Sequence, residues 1–186
     1  MKPEDKNLFI RLLTMDGGAI TVATSLICLI IASLWGATPP IVLTLTLMLF
    51  TSFDVVGYDS VALSPDRMNL VRYRVIQTCF QWTVFALAGS ITDWNLWTCI
   101  GYILLWWMGV CDVLFYVLIG KLSQMLSYEN MPWLWWTPLG IINKLLGRQT
   151  SGVSVFVISL WSIIIWYGSY AIFKTLGIQS LTWLTF

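Results

Sequence analysis

Four carboxylates carry the chemistry that this chain can offer. Asp54, Asp59 and Asp66 lie in a polar stretch, residues 53–77, and Asp112 lies inside a long apolar run. Acids on a loop offer hard oxygen ligands to magnesium and a diphosphate. The spacings here, five residues and then seven, are looser than that task asks for, and no second acidic motif follows. Asp112 is different, because a carboxylate within an apolar segment is expensive and marks function by default. It can carry a proton, meet a cationic substrate, pair with an arginine from the polar stretch, or bond to Tyr102 or Tyr116. Asp16 reads as a surface acid near a helix start.

Other chemistries are excluded by what is missing. The chain contains no histidine, which removes imidazole acid/base work and histidine metal or haem ligation. Cys28, Cys79, Cys99 and Cys111 form no CxxC pair and all lie in apolar runs; they read as small core or lipid-facing side chains, not as a disulfide framework. No GxxxxGK[ST] loop is present, so the chain does not bind and split ATP in the P-loop manner. We expect no catalytic residue, no metal site and no cofactor.

The elements that must position these groups are membrane helices. Of 186 residues, 58% are apolar and 10% charged, with a mean hydropathy of +0.80. A soluble domain is about one-quarter charged, so an ordinary soluble enzyme and a disordered tail are both excluded. A net charge of +1 offers no basic field to a nucleic acid. A crossing helix needs about 20 mainly apolar residues. We read the whole chain, 1–186, as one all-α polytopic transmembrane bundle. Five spans are clear, at 18–35, 39–56, 75–91, 94–120 and 153–173. A weak sixth, 131–146, contains Pro132, Pro138, Asn143 and Lys144; it is a short span, a re-entrant hairpin or a surface helix. Residues 1–16 mix Lys2, Glu4, Asp5, Lys6 and Arg11 with Leu8, Phe9, Ile10, Leu12 and Leu13, the pattern of an amphipathic helix on a membrane surface.

Basic residues set the orientation. With the N-terminus in the cytoplasm, Lys2, Lys6, Arg11, Arg67, Arg72, Arg74 and Lys121 are all inside. The outer loops, 36–38 and 92–93, carry no Lys or Arg. The balance fits five spans or six, so it leaves the side of the C-terminus open. Trp35, Trp94, Trp97, Trp133, Trp135, Trp136 and Trp183 fall near span ends, as an interfacial belt does. Trp82, Trp106, Trp107, Trp161 and Trp166 lie deeper, lining a passage or packing against lipid and helices.

The cytoplasmic stretch after the second span is the most informative. Ser64-Pro65-Asp66 suits a helix start. From Arg67 the residues suit a short amphipathic helix, with Met68, Leu70 and Val71 as an apolar patch beside Arg67, Arg72 and Arg74. Asp54, Pro65, Arg67, Leu70-Val71 and Arg74 follow the order of a coupling helix between second and third spans. In this the chain resembles bacterial ABC transporter permeases of the type-2 exporter class, and the end of the last apolar run, 169–174, resembles that family's last span running into a basic tip. The resemblance implies a membrane-spanning exporter subunit in the bacterial plasma membrane. Its partners would be a second permease copy or paralogue, membrane lipids and a separate ATPase. The ATPase would grip Arg67, Met68, Leu70, Val71, Arg72 and Arg74 as a helix-in-groove contact, with Asp54 and Asp112 as intramembrane polar groups. The competing reading is a non-catalytic accessory subunit of a larger membrane complex.

Overall fold

Pro39 and Pro40 open the helix that organises the rest, at positions where a missing N–H is harmless. A computed structural model of the chain describes residues 18–62, 67–131, 134 and 137–176, with side chains excepted at 18–22 and 58–72. The expected amphipathic segment 1–16 lies outside the described residues. Eight helices run in order among them: α1 Gly18–Leu34, α2 Pro39–Ala62, α3 Arg67–Ile91, α4 Leu96–Trp107, α5 Val110–Leu118, α6 Leu122–Leu126, α7 Pro138–Leu145 and α8 Gly152–Thr175. The fold is all-α, as expected.

Helix α2 is the hub. It packs on α1, α3, α4 and α5, while α8 lies against α4, α5 and α6. Its threonines sit inside an apolar rod because each returns its hydroxyl to the preceding turn. Thr44 donates to the Pro40 carbonyl (2.7 Å), Thr46 to Val42 (2.8 Å) and Thr51 to Leu47 (2.8 Å), which hides the polar group at little cost. Val42, Leu43, Leu47, Leu49 and Phe50 on α2 join Leu29, Val84, Tyr102, Leu105 and Trp166 in the main core. A smaller core of Met125, Met131, Leu134 and Val155 lies under the segment that links α5 to α8.

The five clear spans need correction. Two helices are long and apolar enough to cross a membrane, Pro39–Gly57 within α2 and Gly152–Thr175, or three if a bent pair counts as one span. Helix α1 has 17 residues, a little short of a bilayer's hydrocarbon core. Helix α3 has 25 residues, but Arg67, Arg72, Arg74, Gln77 and Gln81 dilute its apolar character over residues 67–81. The expected span at 94–120 is broken: α4 and α5 meet at a 69° bend. Among the described residues of the weak span at 131–146 the α-helix is α7, eight residues, about 12 Å long and too short to cross. From Arg67 onward no separate amphipathic helix forms; these residues begin α3 and continue into it without a break.

The break between α4 and α5 has a local cause. Gly109 takes φ +82° as the residue before α5, a left-handed conformation that glycine adopts freely. A Cβ there would meet Val155 Cγ1 of α8 at 2.9 Å, so the bend is pressed against that helix. Ser159 on α8 donates to the Met108 carbonyl (2.9 Å) and satisfies an acceptor at the helix end.

The bundle thereby acquires two unlike ends. One end gathers Trp35 and Trp94, with Trp97 at the start of α4 against Phe173 near the end of α8 (ring centroids 5.1 Å). Trp35 is 84% exposed and Trp94 40%, positions that suit an interfacial belt. The opposite end holds Asp54, the end of α2, the start of α3, Lys121, α6, α7 and the start of α8. The Gly152 N–H donates to the Tyr128 carbonyl (2.9 Å) and the Met131 N–H to Thr150 (2.7 Å). Thus 121–151 returns to the end it left, and α8 runs antiparallel to α4. Of the deeper tryptophans, Trp82, Trp107 and Trp161 face outward and Trp166 is buried.

Candidate functional site

Asp54 is the anchor of a polar cluster at this second end, built from α2, α3 and α5. It stands about 22 Å along α2 from Pro39, at 1.5 Å per residue. Glycine at position 57, one turn further on, leaves room for the Tyr73 ring, which a Cβ would strike. Tyr73 therefore comes close enough for its hydroxyl to donate to the Asp54 carboxylate, and it also reaches the Asp54 carbonyl (3.1 Å). One turn along α3, Gln77 Nε2 donates to the same Asp54 oxygen (2.5 Å). Arg74 Nη1 donates to Gln77 Oε1 (2.7 Å). The result is a relay in which Arg74 orients Gln77 and Gln77 holds Asp54. Phe53 and Phe80 stack beside it with centroids 3.9 Å apart, fixing α2 against α3.

Asp112 enters from α5. It stands in the first turn of that helix, where the positive end of the helix dipole favours a carboxylate. It is within electrostatic range of both Asp54, which repels it, and Arg74, which attracts it. Its neighbour Cys111 is buried and meets the Thr51 hydroxyl of α2. The bend at Gly109 sets the direction of α5, which packs against α2. Two carboxylates thus lie within electrostatic range of one guanidinium. Such a group can hold a proton, attract a cation, or change its pairing when the helices move.

The residues named from sequence fall into two classes. Asp54, Asp112 and Arg74 are brought together. Arg67, Met68, Leu70, Val71 and Arg72 form the first turns of α3, and their side chains lie outside the described residues, as do those of Asp59 and Asp66. Asp112 is not partnered by Tyr102, whose hydroxyl donates to the Gln81 carbonyl instead (3.4 Å). Sequence reasoning missed Tyr73, Gln77 and Gly57. The signal was there in the spacing: Tyr73 and Gln77 are four apart on one helical face, and Gly57 lies one turn beyond an acid. A comparison with known protein families, curated proteins and solved structures found no match.

Proposed function

We propose that this chain is the membrane-spanning subunit of an exporter whose energy comes from a separate ATPase seated on the cytoplasmic segment 57–74. The end that carries Asp54 and Lys121 would face the bacterial cytoplasm and the tryptophan end the outside, in keeping with the placement of Lys and Arg. The observation that carries this reading is the continuity of α3. One rod of 25 residues begins at Arg67, where a partner would push, and two turns later bears Tyr73 and Gln77, which grip the hub helix at Asp54. A load on the arginines passes to α2 without crossing a flexible joint.

Export would use two such bundles, and α8 offers a face for the second. Val157, Leu160, Trp161, Ile164 and Ile165 are exposed along it. That same face favours the second reading, an accessory subunit laid against a larger membrane complex. One experiment separates them. Purification in a mild detergent brings down an ATPase with Walker motifs if the exporter reading holds, and the triple change Arg67→Glu, Leu70→Ser, Val71→Ser releases it. An ATPase that survives this change, or a respiratory or redox partner in its place, overturns the proposal.

A further inference from the structure

Helix α7 has no task in the coupling scheme, yet it is built to lie on a surface. Thr137 caps it, accepting from the Gly140 N–H (3.1 Å), and Pro138 occupies its first turn. Thr137 and Gly140 are buried and Leu139 packs into the smaller core, so one face is fixed to the protein. Asn143 holds the other end, donating from Nδ2 to Thr150 Oγ1 (3.3 Å) and accepting at its carbonyl from the Arg148 N–H (2.7 Å). The remaining face looks outward, and it is apolar. Ile141, Ile142, Leu145 and Leu146 share it by helical spacing and all are exposed, Leu145 at 81%. Lys144 and Arg148 flank this face and are exposed too. No acid occurs between residues 130 and 151.

We propose that α7 is an interfacial anchor for anionic phospholipid. Its four aliphatic side chains would enter the acyl boundary while Lys144 and Arg148 meet headgroup phosphates. Three observations choose lipid over a protein partner. The helix is too short to cross, and seven residues after its end α8 begins, with an exposed apolar side chain at Val153. Its charge is of one sign, complementary to the anionic cytoplasmic leaflet. The sequence immediately before it holds Trp133, Trp135 and Trp136, a residue type that prefers the membrane interface. The proposal rests on the bundle spanning a membrane and is independent of any ATPase.

The test uses the full chain in lipid nanodiscs of phosphatidylcholine alone, or of phosphatidylcholine mixed with phosphatidylglycerol. With Cys28 and Cys79 changed to serine, a spin label is placed by Leu145→Cys, and its collisions with oxygen and with a water-soluble nickel chelate are compared. The expected result is an excess of oxygen over nickel accessibility. That excess rises with phosphatidylglycerol, and the rise is lost in the Lys144→Glu, Arg148→Glu background. A label open to nickel in both lipids, or closed to both reagents, overturns the anchor. A rise that persists after charge reversal overturns the headgroup contact. A second label at Trp161→Cys reports the bundle itself. If it meets nickel and not oxygen, the membrane-spanning reading fails; if it meets oxygen while the Leu145 label meets nickel, only the anchor fails.

Discussion

At the tryptophan end, α4 meets α8 through rings. Trp97 stands 6.3 Å from Trp166 and 5.9 Å from Tyr170, both edge-on, and Trp166 lies over Gly101, where a Cβ would strike its indole. At the arginine end, α2 meets α3 through Asp54, Tyr73 and Gln77, with Arg74 bonded to Gln77 and Asp112 of α5 within electrostatic range. The rings need only shape. The polar cluster needs every partner in place, because each unmade bond in a low-dielectric setting costs free energy. Apolar side chains replace buried charges at little or no cost in stability, so a bundle that needed only to hold together would use rings at both ends. The charged end is therefore the place to look for work done by the protein, and the aromatic end for its stability.

Trp166→Ala should give the largest loss of stability. Removing a buried indole leaves a cavity and costs about 3 kcal/mol or more. Unfolding in mixed micelles of sodium dodecyl sulfate and dodecyl maltoside measures it. Under the exporter reading proposed above, the folded fraction should still bind the ATPase. Lost binding in protein that remains folded would mean that the aromatic end is not merely structural.

Asp54→Leu should cost less, about 2 kcal/mol, because it removes the carboxylate that accepts from both the Tyr73 hydroxyl and the Gln77 amide. Under the exporter reading proposed above, it should also abolish any stimulation of the partner's ATP hydrolysis by substrate or lipid. The triple variant Asp54→Leu, Tyr73→Phe, Gln77→Leu removes both donors as well. It should recover most of the stability and none of the coupling. Recovery of both would reduce the cluster to a structural bond and erase the contrast between the two ends.

How much of this was legible before folding depends on the range of the forces involved. Apolar composition set the fold class, since too few charges exist to face water. Asp54, Asp112 and Arg74 stood out because charge among apolar residues is locally visible. Span boundaries were less visible, because residues 94–120 read as one apolar run. Gly109 permits the break, and Val155 and Ser159 of α8, far along the chain, pack and bond against it. Helix α3 misled in the opposite sense. Ser64-Pro65 and an amphipathic pattern suggested a short helix, but nothing after Arg74 stops it, and Gln77 and Gln81 prolong it at a cost in apolar length. Tyr73 escaped notice because its role exists only through Gly57 on another helix.

Thr98→Val should have the smallest effect, and it sharpens the contrast from the stable side. Thr98 is fully buried on α4, near the aromatic end, and its hydroxyl has no partner among the described residues. Valine keeps the shape and removes the unmet polar group, so stability should be unchanged or rise by up to about 1 kcal/mol. Thr51→Val on α2 is the matched control. That hydroxyl donates to Leu47 and meets Cys111 beside Asp112, so the same exchange of atoms should lower stability there. Unfolding midpoints of the two variants, measured side by side in the same micelles, carry the answer in their signs. If both fall, Thr98 has a partner such as a buried water, and the aromatic end depends on polar bonds as the arginine end does.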